Sequence, residues 1–556
     1  MLVRVFGAAA AMVVLAGCSS GSPPKSSAER SAPPAPPPAP SPLPAAKPAP
    51  QVEVLPEAFE SADFIVTVAK AGDTPESLAT RYLGSPAKAW MIEDYGGARS
   101  FATGDEVVIP KGEWNPPGVY ASGYQLVPVL VYHNIGAQRK GRLLIAASTF
   151  EEQMRYLKAE GYRAIRLEDF LAHLLQKRQL PKKSVLLTFD DGHKGFLQYA
   201  QPLLTELGFP VVLFIQSDLI AQRPNASSLS WSELRELVKG DVEVQAHSKT
   251  HGDLRRASGE SEAAYTRRMQ AELGVPLALL RAQIPQPARG PETIAYPYGE
   301  WDEGLLRYVK QYGYVAGFTV RREANAAFVP LLQANRSQVF ADWTLEEFKK
   351  NLNTFQPEPI LPETARVNPA APRPSPGEAQ SVRQQWAARH DRSSEALELR
   401  GLLRQALDES KIALTIDPAD TTAEERRKRL ASRIENEVAT RMQQGMKLVG
   451  SSPLEARRHF LAALALNPMS QAAFDAVREA TPALEAPRIA SPPVKALTHT
   501  VRPNETPGSL ADLYYGDRSL GEVIERANGL KPGALLSVGR LLKIPEVPGV
   551  PFLRPD

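Results

Sequence analysis

The sequence predicts a multidomain α/β protein with one large module, two small βααβ modules, one α-helical module and Pro-rich linkers. Its 556 residues exceed the ~150 of an average domain several-fold. The 50 prolines cluster into segments that cannot form a core. In the large module, short apolar runs alternate with stretches of helical periodicity, which indicates a parallel sheet or barrel.

Composition excludes two classes of protein. The 65 Lys and Arg residues nearly balance the 62 Asp and Glu residues, so the net charge of +3 is too small for a dedicated nucleic-acid binder. The single cysteine excludes an internal disulfide framework and a Cys-rich metal or redox site.

The first 18 residues are predicted to be an export signal. Arg4 precedes an apolar run over residues 5–15 that is too short to span a bilayer. The run ends in Leu15-Ala16-Gly17-Cys18, which resembles a bacterial lipobox and implies lipidation of Cys18. Ser19 then implies sorting to the outer membrane, on its periplasmic face. The alternative is an ordinary signal peptide with a chance cysteine.

Proline-rich stretches divide the rest of the chain. A Pro/Ala-rich linker covers residues 19–60, and shorter linkers cover 356–377 and 482–496. The modules between them span residues 62–111, 126–355, 378–481 and 497–546.

The two small modules are copies of one pattern. Thr74-Pro75 and Ser77-Leu78-Ala79 recur as Thr506-Pro507 and Ser509-Leu510-Ala511, each between two strand-like segments. Both copies resemble the lysin motif (LysM), which implies binding of N-acetylglucosamine-containing glycans such as peptidoglycan. The entry turn Asn504-Glu505-Thr506 departs from the motif, so the second copy is the weaker candidate. The alternative for both is a purely structural role.

The charged module at 378–481 is predicted to be helical. Leu399, Leu403 and Leu407 mark one helix face. Ala406, Ala413-Leu414 and Pro418 recur fifty residues later, a pattern that resembles tetratricopeptide repeats but exceeds their ~34-residue period. A protein-docking role and a plain helical spacer remain equal alternatives.

Acidic and histidine side chains follow two predicted strands of the large module. The strand Ser184–Phe189 runs into Asp190-Asp191-Gly192, and a later strand ends in His247-Ser248-Lys249-Thr250-His251. Two adjacent carboxylates favour a cation or a shared proton. Two histidines and one carboxylate form a ligand set for a divalent metal that leaves positions open for water and substrate. The sequence therefore predicts a metal site that is open to water and substrate.

These motifs, together with Tyr132-His133 and Ala295-Tyr296-Pro297-Tyr298-Gly299, resemble the polysaccharide deacetylases of carbohydrate esterase family 4, the NodB-homology group. The resemblance covers about residues 127–352 and implies an irregular (β/α) barrel that removes N-acetyl groups from aminosugar polymers. It implies that Asp191, His247 and His251 bind Zn²⁺, with Co²⁺, Ni²⁺ or Mn²⁺ as alternatives. It further implies that Asp190 is the general base and that the Tyr298 backbone N–H helps to hold the oxyanion.

Two departures from the family pattern leave roles open. Ala295 stands where the family has an arginine that orients the catalytic aspartate, and Arg336 or Arg289 could replace it. No histidine lies between His251 and His390, so His133 is the candidate general acid and His193 the reserve. Candidate substrate-binding residues are Tyr296, Trp301 and Arg336.

The sequence thus predicts a lipid-anchored, metal-dependent N-deacetylase of a cell-wall polymer, with peptidoglycan as the favoured substrate and the membrane as a partner through the lipid. One alternative is a deacetylase of a secreted poly-N-acetylglucosamine. The other is a wall-tethering or docking protein with weak catalysis, whose helical module binds a protein partner.

Overall fold

The computed structural model describes residues 56–221, 224, 227–284, 291–361, 381–481, 496–503, 505–515, 518–531 and 533–545. The predicted signal with Cys18, most of the linker residues, Arg289 and Asn504 lie outside the described residues. No helix in the described part of the chain is long and apolar enough to cross a bilayer.

The N-terminal module is a three-stranded antiparallel sheet with two helices on one face. Its strands are β1 (Ala58–Glu60), β2 (Phe64–Val68) and β3 (Glu106–Pro110), and its helices are α1 (Pro75–Leu83) and α2 (Ala89–Gly96). Thr74 and Ser77 form a capping box that starts α1, and Gly84 ends it at φ 75°. Strand β1 lies inside the range assigned to the first linker, so the module begins earlier than the sequence indicated.

The large module contains a curled parallel sheet. Its strand order is β14-β13-β12-β11-β10-β6-β15, with β9 also paired to β10. The strands of the module are β4 (Val119–Tyr120), β5 (Gly123–Gln125), β6 (Val129–Tyr132), β7 (Asn134–Gly136), β8 (Leu144–Ala146), β9 (Arg163–Ala164), β10 (Ser184–Asp191), β11 (Val211–Ile215), β12 (Val242–Ala246), β13 (Thr293–Ala295), β14 (Ala316–Phe318), β15 (Ser337–Gln338) and β16 (Phe355–Pro357).

Helices pack around this sheet. They are α3 (Ala147–Ala159), α4 (Leu167–Leu174), α5 (Gln201–Leu207), α6 (Trp231–Leu237), α7 (Glu262–Met269), α8 (Val275–Gln283), α9 (Glu303–Gln311) and α10 (Leu345–Lys349). Because β10, β11 and β12 are each followed by a helix and pair in parallel, their carboxyl ends meet at one rim. The predicted fold class, an irregular barrel with small βααβ and helical modules, is confirmed.

The helical module consists of α11 (Val382–Leu399), α12 (Leu403–Ile416), α13 (Thr421–Leu448), α14 (Pro453–Leu466) and α15 (Gln471–Ala480). The fifty-residue repeat in the sequence corresponds to α12 and α14, whose bounds are offset by the same fifty residues. Leu399 does not share a helix with Leu403 and Leu407 as expected, because the chain turns at Gly401 with φ 78°.

The helical module packs against two other modules of the same chain. Ala387, Ile412 and Ile416 form one apolar cluster with Phe59, Phe64 and Val66 of the N-terminal module. Residues of α14 and α15 form another cluster with Val119, Leu126 and the segment 326–328 of the large module. Part of its surface is therefore occupied within the chain.

The C-terminal module repeats the βααβ order. It contains β17 (Ala496–Thr500), α16 (Pro507–Tyr515), α17 (Gly521–Ala527) and β18 (Leu541–Pro545), with a short 3₁₀ turn at Arg518–Leu520. The Ser509 backbone N–H donates to Thr506 Oγ1 at 3.0 Å, as the Ser77 N–H donates to Thr74 Oγ1 at 3.2 Å. The repeated Thr-Pro-x-Ser sequence thus forms the same helix start twice.

Candidate active site

The site lies at the carboxyl rim of the parallel sheet. His133 follows β6, Asp190 and Asp191 end β10, and His247 follows β12. These strands are neighbours or near neighbours in the sheet, so residues far apart in the chain meet in one cleft of about 430 Å³.

Asp191, His247 and His251 converge as a potential metal site. One ligand atom from each lies within 4.8 Å of the others. The Nδ1 of His247 hydrogen-bonds the Ala295 carbonyl at 2.8 Å, which leaves Nε2 as the atom nearer to the two aspartates. Burial lowers the pKa of His247 to about 4, so its ring is neutral as a metal ligand must be. The donor set fits a divalent ion of the Zn²⁺ type.

The backbone around the cleft adopts left-handed conformations. Of the five described non-glycine residues with positive φ, four lie here: Asp191 at 73°, Ser248 at 63°, His251 at 62° and Tyr298 at 60°. Each costs roughly 1–3 kcal/mol and persists where the surroundings over-determine it. Such clustering is typical of functional sites.

The loop that carries both histidines is held from below by Glu272. Its carboxylate accepts from the N–H groups of Lys249 and Thr250 at 3.1 and 3.0 Å and from the Thr250 hydroxyl at 2.8 Å. Glu272 lies in a π-helical turn, Gln270–Gly274, between α7 and α8. Such turns often occur at functional sites. No local motif singled out Glu272 in the sequence.

Asp190 is held by Arg336. The guanidinium donates to both carboxylate oxygens, at 2.7 Å to Oδ1 and 2.8 Å to Oδ2, and both side chains are almost fully buried. Burial raises the pKa of Asp190, but the charge and hydrogen bonds of Arg336, together with the neighbouring His247 and His133, keep the pKa below its usual value. Of the two replacements considered for the missing motif arginine, Arg336 thus contacts the aspartate. Its side chain has no exposed surface, and its role as a substrate-binding residue stays a prediction.

The two candidate acids are placed differently. His133 lines the cleft, and its Nδ1 is buried without a hydrogen-bond partner in the described part of the chain. The Nε2 of His193 lies 3.2 Å from Asp191 Oδ2. That contact, together with His251, holds the pKa of Asp191 well below its ordinary value although burial acts to raise it. His193 therefore orients Asp191, and His133 remains the candidate acid.

Of the two predicted substrate-binding aromatics, Tyr296 borders the cleft without exposed surface and Trp301 lies away from it. Tyr296 is fully buried, and its hydroxyl donates to the Leu332 carbonyl at 2.9 Å. Trp301 packs against the core of the large module and lies outside the cleft lining. Tyr298 does line the cleft, with its ring centroid 4.7 Å from that of His251.

The C-terminal module forms part of the cleft wall. Asp512, Arg518 and Leu520 line the cleft opposite residues of the large module. The Tyr298 hydroxyl donates to the carboxylate of Glu522, and Arg526 Nη1 donates to Asp253 Oδ2 at 2.7 Å. Sequence reasoning missed this placement because no local pattern encodes it.

Comparison with known families identifies two domains. The model of the polysaccharide deacetylase family matches residues 177–317, and the model of the LysM domain matches residues 499–545. The LysM match covers the copy whose entry turn departs from the motif. The resemblance to a polysaccharide deacetylase combined with lysin motifs is thereby confirmed at the level of these two domains.

Relatives match the middle of the chain. The Bacillus subtilis (strain 168) protein YxkH is 25% identical over 193 residues, 35% of this chain and 64% of that protein. A poly-beta-1,6-N-acetyl-D-glucosamine N-deacetylase of Staphylococcus aureus (strain N315) is 28% identical over 184 residues, 32% of this chain and 62% of that protein. The chain therefore spans somewhat less than two thirds of these curated relatives.

Among solved structures, the Streptococcus pyogenes deacetylase PplD in complex with acetate is 24% identical, with a TM-score of 0.37. The match covers 42% of this chain and 100% of that one. IcaB from Ammonifex degensii is 22% identical, with a TM-score of 0.36, over 41% of this chain and 98% of that one.

Proposed function

We propose that this chain, which contains a polysaccharide deacetylase domain and a LysM domain, removes N-acetyl groups from an N-acetylglucosamine polymer of the cell envelope. The observation that carries the proposal is the convergence of Asp190, Asp191, His247 and His251 at one rim of the sheet, beside the buried Arg336. The reaction is hydrolysis of a C–N amide bond, which yields acetate and a free amine.

Asp191, His247 and His251 would hold a divalent ion, with Zn²⁺ the first candidate. When bound, such an ion supplies polarisation of the acetamide carbonyl and a lowered pKa of a bound water. The neutral ring of His247 and the ionised Asp191 are in the protonation states that binding requires.

The remaining roles belong to the chain itself. Asp190 is buried and ionised beside Arg336, so it can accept the proton of the attacking water. The backbone N–H of Tyr298 donates to the developing oxyanion. His133, which lines the same cleft, donates the proton that the departing amine needs.

The polymer has two candidates. The LysM match favours peptidoglycan, since lysin motifs bind N-acetylglucosamine-containing glycans. The Staphylococcus aureus relative acts on poly-beta-1,6-N-acetyl-D-glucosamine, which favours that polymer equally. Acetate release from purified sacculi and from the β-1,6 polymer, measured with the same metal-loaded protein, separates the two. Absence of acetate from both would contradict the proposed activity.

A wall-tethering protein with weak catalysis is the competing class. It is separated from an enzyme by metal content: stoichiometric binding of one divalent ion, lost on substitution of His247, supports the enzyme. A chain that binds sacculi without binding metal would support the tether.

The location is part of the proposal. The lipobox-like sequence ending at Cys18 implies a lipid anchor on the cell envelope. Cys18→Ser should then shift the protein out of the membrane fraction, because one short apolar segment gives no stable span. Unchanged membrane association would refute the anchor.

A further inference from the structure

The C-terminal module contacts the cleft beside Tyr298, next to the candidate metal ligand His251. Its α17 contributes Glu522, which accepts the hydrogen bond of the Tyr298 hydroxyl. The Tyr298 ring also packs against the apolar core cluster of this module. Tyr298 has a left-handed backbone and lies against the ring of His251, so the module contacts a residue that borders the metal ligands.

A second contact secures the same face. Arg526 donates to Asp253, which also accepts from Arg255 at 2.8 Å. Arg255 in turn pairs with Glu300 at 2.6 Å, two residues after Tyr298. The loop after His251 and the loop after β13 are thus tied to α17 by one charged network.

The module also offers polar groups to the open part of the cleft. Asp512 and Arg518 both line it, and they lie 3.7 Å apart with 47% and 72% of their side chains exposed. Such an exposed pair has little mutual stabilisation, so its carboxylate and guanidinium are available to a ligand. A carboxylate accepts and a guanidinium donates, which matches neighbouring hydroxyls of a pyranose. Leu520 adds an apolar wall beside them.

We propose that the C-terminal module completes the active site: Asp512 and Arg518 bind a sugar unit next to the reacting one, and Glu522 positions Tyr298. This inference rests on the proposed function, because it takes the ligand to be an N-acetylhexosamine polymer. None of the described residues of the N-terminal module lines the cleft, and its sheet packs on the helical module.

Binding measurements test the sugar site. The full chain, loaded with Zn²⁺ and carrying Asp190→Asn to prevent turnover, is titrated calorimetrically with N-acetylglucosamine and with its β-1,4-linked tetramer. Asp512→Ala combined with Arg518→Ala should lower the ratio of tetramer affinity to single-sugar affinity about tenfold. Arg540→Ala, an exposed cation of the same module outside the cleft lining, is the matched control and should keep the ratio. An unchanged ratio in the double variant overturns the site.

Exchange measurements test the positioning role. In Glu522→Ala, amide hydrogen exchange in the segment 296–300 should rise several-fold, and Tyr298→Phe should produce the same rise. Glu522→Gln, which still accepts the hydroxyl proton, should restore protection. The Glu522→Ala/Tyr298→Phe double variant should show no faster exchange than either single variant, because each substitution removes the same hydrogen bond. Additive effects, or no effect of Glu522→Ala, overturn the role.

These tests separate the inference from the proposed function. If the metal-loaded protein releases no acetate from sacculi or from the β-1,6 polymer, the proposed function fails, while the affinity ratio and the exchange pattern still decide the inference. The inference alone fails under a different combination of results. Acetate is then released, Glu522→Ala leaves kcat unchanged, and Glu522→Gln shows the same amide hydrogen exchange in the segment 296–300 as Glu522→Ala.

Discussion

The ion pair between Arg336 and Asp190 gives the sharpest test of the site. Replacement of Arg336 by Leu keeps much of the side-chain volume and removes the charge. The guanidinium has no exposed surface and Asp190 has 2%, so the variant leaves a buried carboxylate without its cation. Removal of one partner of a buried pair costs about 3–5 kcal/mol. We therefore expect a destabilisation of that size in the large module, together with a fall in kcat of about 10²- to 10³-fold as the base loses its orientation.

The assay has to follow the large module alone, because a chain of several modules does not unfold in two states. Hydrogen exchange in the peptide that covers β10 reports this free energy locally. Arg336→Leu combined with Asp190→Asn should be less destabilised than Arg336→Leu alone, since no buried charge is left unpaired. Arg336→Lys should be intermediate, because an ammonium cannot donate to both oxygens in the fork geometry. A cost below ~1 kcal/mol for Arg336→Leu, with kcat retained, would refute the role of the pair.

Three further predictions concern the candidate metal ligands, the candidate acid His133 and His390 of the helical module. Each of three substitutions should remove metal and activity together: Asp191→Ala, His247→Ala and His251→Ala. In contrast, Asp190→Asn should keep the metal and lose deacetylation. Atomic absorption measures the metal and an acetate assay measures the activity, and full activity of Asp190→Asn would contradict its role as base. His133→Ala should lower kcat on the amide about 10²- to 10⁴-fold, with metal content kept and a smaller loss on an aryl ester; equal losses would point to a structural histidine. His390 is partly buried between Glu409 and Glu106, and Glu106 also pairs with Arg389. Burial acts to lower the pKa of His390, but the two carboxylates raise it to about 9. Its contribution to the free energy of unfolding, at most ~3 kcal/mol, is therefore present below pH 6.5 and is lost as the pH rises through about 9. Hydrogen exchange in β3, corrected for the intrinsic pH dependence of exchange, should show that loss. His390→Gln should abolish this dependence of the local stability on pH.

The metal-site residues could be predicted because they follow the carboxyl ends of parallel strands, and parallel strands end at one rim whatever the details of the loops. Arg336 could not be chosen over Arg289 from the sequence. It immediately precedes β15, which pairs with β6, and β6 in turn pairs with β10. Its contact with Asp190 therefore depends on the pairing of three strands that are far apart in the chain, which no local pattern encodes.

The aromatic residues show a second limit. Tyr296 and Tyr298 are two positions apart in one motif and both border the cleft, yet Tyr296 is fully buried and Tyr298 is partly exposed. The difference follows from the left-handed backbone of Tyr298, where the chain turns before Gly299. The sequence alone therefore does not distinguish a tyrosine that stacks on a sugar from one that packs in the core, because the backbone conformation of the loop decides between them.

The two small modules share one sequence pattern but pack against different parts of the chain. The N-terminal copy places Phe59, Phe64 and Val66 against apolar residues of the helical module, and burial of such side chains stabilises by ~1.5–3 kcal/mol each. The C-terminal copy contacts the cleft mainly through charged and hydroxyl groups, and pairs as exposed as Arg526 with Asp253 contribute ~0–1 kcal/mol. The first interface therefore favours permanent docking. The second interface depends mainly on polar contacts around Tyr298, and its charged side chains border the cleft.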